Sequence, residues 1–184
     1  MPSFYDTCMP ATIRALQNAA AFLAIAEKQA QENSIDPNEY TTARLYPDMR
    51  DLCFQVYTFT NGPCTMVSKI TGAEPLEQEN AETTFPDLIK RIERTLEWLQ
   101  AVDEKDFDGK EDKEVVIEIK MQAGPMAGKT MRLEYTALDF VNYFAMPNIW
   151  FHVTTAYDIL RSKGVKVGKN EFLNAAGHMK VEIL

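Results

Sequence analysis

Long stretches with apolar residues at helical spacing constrain this fold more than any other feature of the sequence. The first runs from about Pro10 to Asn33, and its apolar stripe contains Ile13, Leu16, Ala20 and Leu23. A helix with one apolar face must bury that face against other elements. The sequence therefore predicts long helices that pack on one another.

A second amphipathic helix is predicted from about Pro47 to Gly72. Proline suits the first helical turn, and Asp48 and Asp51 suit the positive N-terminus that follows it. Inside this helix the Asn61-Gly62-Pro63 sequence predicts a kink or a break, because a proline ring clashes with the carbonyl four residues earlier. A kink there would open space inside the fold.

The middle of the chain predicts one more long helix and a β-hairpin. Thr84 is a good N-cap for a helix that ends near Val102, and the charged run 103–114 is predicted to be a surface loop. Alternating segments at 115–121 and 130–135 predict the hairpin. The turn between them, 123–130, matches a loose phosphate-loop pattern, but a strand follows where such a loop needs a helix.

The last helical region carries the most informative residue, His152. Thr136 is predicted to cap a helix that Pro147 separates from a final one, which ends at Gly164. In that final helix His152 shares the apolar stripe of Ile149, Val153, Ala156 and Leu160. The fold class predicted is mainly all-α: an antiparallel four-helix bundle with one hairpin before the last long helix. We expect one domain over 1–184, with a core at about 10–164 and a partly ordered tail at 165–184.

Composition excludes several classes of protein. The 27 acidic residues outnumber 19 Lys and Arg and give a net charge of -8, which disfavours nucleic acid and anionic membranes as partners. The three cysteines form no Cys-x-x-Cys pair, so neither a disulfide framework nor a zinc knuckle is expected. No segment approaches the roughly 20 apolar residues of a membrane span. We expect a cytoplasmic protein.

Three kinds of chemistry remain open for His152. As an acid or base it could work with the phenols of Tyr57, Tyr143 or Tyr157, while Arg44 could bind a carboxylate. As a metal ligand it would need carboxylates such as Asp48, because the chain has only one other histidine and no metal-binding motif. It could also be a core histidine with a satisfied hydrogen bond, and the tyrosines could be packing residues.

Several motifs resemble a domain-of-unknown-function family of the DinB/YfiT-like superfamily. They are Ala43–Met49, Glu82–Phe85, Phe107–Gly109, Pro147–Arg161, Gly168-Lys169 and Phe172-Leu173. The resemblance implies a helical bundle, and many members of the superfamily are dimers that hold a divalent metal with three histidines. Some members transfer thiols or isomerise small acids with a thiol cofactor.

The resemblance also implies that the metal site is altered in this chain. Related chains tend to have histidine where this one has Gly62 and Tyr143, which leaves His152 alone. We therefore expect no metal and no cofactor. The predicted function is binding of a small apolar or weakly polar molecule by a homodimer, with His152, Tyr57 and Tyr143 as catalytic candidates.

The residues predicted to contact that ligand are Arg44, Asp48, Gly62 and Tyr157. Two alternatives stay open. One is a non-catalytic interaction or scaffold bundle, in which His152 only packs. The other is a divalent-metal enzyme of the thiol-transferase or isomerase kind, with carboxylates beside His152.

Overall fold

The computed structural model describes residues 2–121 and 124–182 and is mainly helical. Its helices are α1 (Phe4–Glu32), α2 (Asn38–Thr41), α3 (Leu52–Thr71), α4 (Phe85–Gln100), α5 (Ala137–Phe140), α6 (Met146–Ser162) and α7 (Lys169–Asn174). Strands β1 (Glu114–Lys120) and β2 (Thr130–Thr136) form an antiparallel hairpin before the last long helix. The prediction of a mainly helical fold with one hairpin at this place is confirmed.

The four long helices enclose the core. Helix α3 packs on α6 and α4, and α1 packs on α4 and α6. Helices α3 and α6 run antiparallel, because Gln55 contacts His152 while Gly62, further along α3, lies against the earlier residue Ile149. Within the described ranges, no helix is long and apolar enough to cross a membrane.

The first helix begins six residues earlier than the predicted start at Pro10. Ser3 caps it, and Ser3 and Asp6 each bond the other's backbone N–H in a capping box. Cys8 and Met9 are fully buried. The cap and this burial outweigh the hydrogen bond that Pro10 cannot donate, so Pro10 lies inside α1.

The predicted start of the second long helix was also wrong. Helix α3 begins at Leu52, and the Asp51 side chain accepts the Phe54 N–H as its N-cap. Pro47 and Asp48 lie instead in a preceding loop, because the Leu52 N–H donates to the Ala43 carbonyl at 3.0 Å and closes the chain on itself. Residues 44–51 are called the Arg44–Asp51 loop below.

Helix α3 continues through Pro63 without the break that the sequence predicts. Pro63 is buried together with Thr60 and Cys64, so packing compensates the missing backbone bond. The predicted end is confirmed: Gly72 has the left-handed conformation (φ 88°) common at helix ends.

Helix α4 is capped by Thr84, as predicted, and it ends at Gln100, two residues before the predicted end near Val102. The charged segment after it is more than a surface loop. It contains a short 3₁₀ helix, Glu104–Phe107, and the Phe107 ring is buried against Phe4 and Tyr5.

Pro147 does not divide the last helical region. Helical geometry continues from Ala137 to Ser162, through a π-helical segment at Val141–Ala145. The Met146 N–H donates to the Val141 carbonyl five residues back. Pro147 then falls in the first turn after this segment, a position that tolerates proline. Thr136 caps the start of the region, as predicted.

The hairpin pairs Glu114 with Thr136 at one end and Lys120 with Thr130 at the other. The turn predicted at 123–130 is present in the described residues, where the Gly128 N–H donates to the Met121 carbonyl and closes it. Residues 122 and 123 lie outside the described residues.

The predicted tail at 165–184 packs on the body of the protein instead. Val165 and Val167 are buried, and α7 lies on α1, where the Asn18 side chain bonds the Leu173 carbonyl and the Ala176 N–H. Residues 183 and 184 lie outside the described residues. The packed core thus extends beyond the predicted range of 10–164 at both ends.

Candidate functional site

His152 lies half-buried between α6 and α3, with one ring nitrogen held by a glutamine. The His152 Nδ1 is 2.7 Å from the Gln55 Oε1, and the Gln55 Nε2 donates to the Arg50 carbonyl at 3.0 Å. Because a backbone carbonyl can only accept, the amide nitrogen must face Arg50 and the amide oxygen must face His152. The Nδ1 therefore carries the proton, and Nε2 has the lone pair.

Two phenyl rings flank the imidazole. The Phe54 ring centroid is 6.1 Å from that of His152, and the Phe151 centroid is 5.1 Å away, both edge-on. Among the described residues, no hydrogen bond reaches the Nε2 atom. The site therefore has one hydrogen-bond acceptor, on an imidazole that contacts two phenyl rings.

Burial determines the charge of this histidine. Removal from water disfavours the imidazolium and lowers the pKa of His152 from 6.5 to about 4. The ring is therefore neutral at pH 7. A neutral imidazole can accept a hydrogen bond or a proton at Nε2, whereas it has no extra proton to give as a general acid.

The lowered pKa of His152 makes folding stability depend on pH. Between pH 6.5 and about 4 the unfolded chain binds a proton that the folded protein does not. The stabilisation is fully present above pH 6.5 and is lost as the pH falls to about 4. We expect the free energy of unfolding, measured with urea, to fall more steeply across this window than in a His152→Asn variant. Parallel curves would contradict the lowered pKa.

Tyr57 points away from His152, although the sequence suggested that it assists. It lies two positions from Gln55, and residues two apart on a helix do not share a face. Its hydroxyl donates to the Glu82 carbonyl, and the Arg91 guanidinium lies 5.0 Å from its ring centroid. Burial, followed by nearby Cys53 and Glu82, raises the pKa of Tyr57 to about 12. Tyr57 belongs to a separate cluster around Arg91.

The structure does not bring the other two tyrosines to the imidazole. Tyr143 lies in the π-helical segment and is 71% exposed. The Tyr157 ring packs against Phe22 of α1 and Phe172 of α7. In residues 2–121 and 124–182, the rings in contact with His152 are those of Phe54 and Phe151.

Gly62 sets the approach of α3 to α6 instead of lining an open space. A Cβ atom at this position would lie 3.3 Å from the Ile149 Cγ1, tighter than ordinary van der Waals contact. An added Cβ would require the Ile149 side chain to shift by a few tenths of an ångström. In this chain the position therefore contributes helix packing.

Arg44 and Asp48 lie on the exposed Arg44–Asp51 loop. The Arg44 guanidinium is 4.0 Å from the Asp51 carboxylate and donates weakly to the Pro47 carbonyl at 3.5 Å. The loop is connected to His152 through the Arg50 carbonyl and Gln55, and through the Arg50 guanidinium over the Phe54 ring.

The cysteines of the described chain are free and buried. Burial raises the pKa of Cys8 to about 12 and those of Cys53 and Cys64 to about 11. A thiol becomes a nucleophile or a metal ligand as the thiolate. These environments do not favour that form.

A cavity of 590 Å³ opens between the second half of α3 and residues 75–79. Asn61, Cys64, Leu76 and Gln78 are among the residues that line it, and His152 is not. The imidazole, which contacts Gln55 and Phe54 of α3, therefore lies outside this cavity.

The chain matches the family described as Domain of unknown function (DUF1993) over residues 4–173. The chain belongs to this family. Its structure is similar to the crystal structure of a DinB family member protein from Shewanella denitrificans, with a TM-score of 0.78 and 31% sequence identity over 98% of this chain and 95% of that one. Comparison with the curated proteins gives no match. The predicted membership of a DinB-like family of unknown function is confirmed.

The residues of this DUF1993 member do not fit the divalent metal that the superfamily resemblance implied. Nowhere in the described ranges do three or more His, Cys, Asp or Glu side chains come close enough to hold an ion. Around His152 the neighbours are an amide and two phenyl rings. Catalytic zinc sites, by comparison, use three protein ligands.

Sequence reasoning missed the two polar residues that organise this DUF1993 domain, Gln55 and Arg91. Each interrupts an apolar stripe: Gln55 lies between Leu52 and Val56, and Arg91 lies between Leu88 and Ile92. Both are buried, at 2% and 0% exposure. A polar side chain at a stripe position is the signal that could have found them, because buried polar groups need partners.

Proposed function

We propose that the protein binds a small neutral ligand at His152, without a metal, in an antiparallel four-helix bundle. The observation that carries this proposal is the surroundings of the His152 ring: Gln55 occupies Nδ1, Nε2 keeps its lone pair, and the Phe54 and Phe151 rings contact the imidazole. A hydrogen-bond acceptor beside two aromatic rings suits an apolar molecule with one O–H or N–H donor.

The class of ligand follows from the net charge of the protein and the pKa of His152. Since the His152 pKa of about 4 leaves the ring neutral, it offers no cation for an anionic ligand, and the net charge of -8 disfavours such ligands further. If the protein is an enzyme, His152 acts as a base or a hydrogen-bond acceptor. Tyr57 and Tyr143 have no part in this proposal.

Phenol and toluene form a matched pair of probes, because only phenol has a hydroxyl donor. We expect phenol to shift the Nε2 signal of ¹⁵N-labelled His152 saturably in NMR titrations. One neutral hydrogen bond should make toluene bind roughly 2- to 10-fold more weakly. The chain has two histidines, so a His178→Gln variant leaves His152 as the single labelled residue.

A His152→Phe variant is the control for this experiment. It keeps an aromatic ring at this position but has no acceptor, so the preference for phenol over toluene, followed through backbone amide signals, should disappear. A preference for phenol that persists in this variant would contradict the proposal, as would the absence of any saturable shift in the unmodified protein.

A non-catalytic interaction unit is the second candidate function. It is supported by the exposed aromatic side chains Tyr143, Trp150 and Phe151 on one helical region, because exposed apolar groups can mark a protein interface. We infer a homodimer as the partner arrangement, and the free thiols support a cytoplasmic location, where thiols stay reduced. This candidate stands if neither probe binds.

A further inference from the structure

A hydrogen-bonded path through one buried side chain, Gln55, joins the Arg44–Asp51 loop to His152. The Arg50 guanidinium also lies 5.3 Å from the centroid of the Phe54 ring, which contacts His152. The loop is closed by the bond from the Leu52 N–H to the Ala43 carbonyl. Its Arg50 carbonyl accepts the Gln55 Nε2, and the Gln55 Oε1 accepts the His152 Nδ1–H. The Arg50 carbonyl and His152, which are remote from each other in sequence, thus share one continuous hydrogen-bonded path.

Gln55 has little freedom to break one of these bonds and keep the other. Its side chain is 2% exposed, and its amide is planar, so a rotation that moves Oε1 away from His152 also moves Nε2 away from Arg50. An unpaired polar group at this buried place would be costly. The loop backbone and the imidazole are therefore oriented together.

We propose that Gln55 is a positioning residue, through which the Arg44–Asp51 loop sets which ring nitrogen of His152 carries the proton. In the described arrangement the loop carbonyl orients the amide, the amide fixes the proton on Nδ1, and Nε2 is left as an acceptor. The relevance of this positioning to a ligand rests on the proposed function. The proton position itself can be tested without any ligand.

The same path predicts that the loop responds to the ligand. The peptide N–H of Asp51 belongs to the same peptide group as the Arg50 carbonyl, so a change in the bond from Gln55 alters the Asp51 amide signal. A hydrogen bond at Nε2 polarises the imidazole and strengthens the donation from Nδ1. The response of the loop to contact at His152 should therefore be weaker when Gln55 no longer connects the two by hydrogen bonds.

The test is ¹⁵N-histidine NMR of the ligand-free, full-length protein at neutral pH, in which the two ring nitrogens give separate signals for each tautomer. We expect His152 to carry its proton mainly on Nδ1. In Gln55→Met, which keeps the length and apolar volume of the side chain but lacks the amide, the tautomer ratio should change by roughly 2- to 10-fold toward Nε2–H. The Asp51 amide signal should shift in the same variant.

The matched control is Gln31→Met, which makes the same change at an exposed position of α1. It should leave the His152 tautomer and the Asp51 amide unchanged. A proton mainly on Nε2 in the unmodified protein would overturn the inference, even if Gln55→Met does not fold. An unchanged tautomer in a folded Gln55→Met variant would overturn it as well.

Phenol separates the two proposals. Both proposals are supported if phenol shifts the signals of His152 and of the Asp51 amide in the unmodified protein, and if the Asp51 shift is clearly smaller in Gln55→Met. If phenol does not bind while Gln55→Met changes the tautomer, the proposed function fails and the positioning role of Gln55 stands. Equal phenol-induced shifts of the Asp51 amide in both proteins would overturn the coupling and leave the proposed function intact.

Discussion

Replacement of Arg91 by methionine is expected to destabilise the protein by about 3–5 kcal/mol, the usual cost of disrupting a buried ionic network. The Arg91 side chain is fully buried, and its five donors are all used. They reach Thr60, the Glu79 carbonyl, the Glu82 carboxylate, Asn61 and Asn80. Methionine would leave these acceptors without their donors. The measurement is the free energy of unfolding in urea.

Arg94 provides a matched control for this change. It also bonds the Glu82 carboxylate at 2.9 Å, but its side chain is 56% exposed. Arg94→Met should therefore cost at most about 1 kcal/mol, as is typical for exposed ion pairs. If the two variants were equally stable, the Arg91 cluster would not hold residues 79–82 against α3 and α4 in the way the structure indicates.

Replacement of Phe59 by alanine should have an effect of similar size for a different reason. Phe59 lies in the middle of α3 with no exposed surface, and it belongs to the main apolar core. Removing a buried phenyl ring costs about 3–5 kcal/mol, through lost burial and the cavity left behind. In a chain of this length, that should lower the midpoint of thermal unfolding by roughly 6–20 °C.

Phe151→Ala serves as the comparison for Phe59, because the Phe151 ring is 57% exposed. Its effect on stability should stay within about 0.5 kcal/mol. A large loss at Phe151 with a small one at Phe59 would mean that the core is centred elsewhere. Calorimetry of both variants under one set of conditions decides between these outcomes.

Local signals explain which parts of the fold could be predicted. Thr84 and Gly72 were identified as helix ends because capping chemistry depends on neighbouring residues only. The hairpin followed from alternation within two short segments. Errors occurred at Pro10 and Pro63, where tertiary packing outweighed a local rule and the helix continued through proline. At Pro147 the helix continued because a π-helical segment places this proline in a first turn.

The site was less predictable than the fold because its contacts join distant segments. His152 was recognised as important from its place on an apolar stripe, but its partner Gln55 lies 97 residues away in sequence. Helical spacing indicates which face a residue occupies and not which side chain it meets. The tyrosines show the same limit. Both are packed, as their positions on apolar stripes suggest, but Tyr57 packs toward α4 and Tyr157 packs toward α1 and α7.

The π-helical segment at Val141–Ala145 affects how chains of this family should be aligned. A π turn closes with one residue more than an α turn, as the bond from Met146 to Val141 shows. Loss of one residue there would convert the segment to regular α-helix while α6 kept its orientation toward α3. A relative one residue shorter between positions 141 and 145 would thus still present its equivalent of His152 to α3. A gap placed elsewhere in the alignment would misassign that histidine.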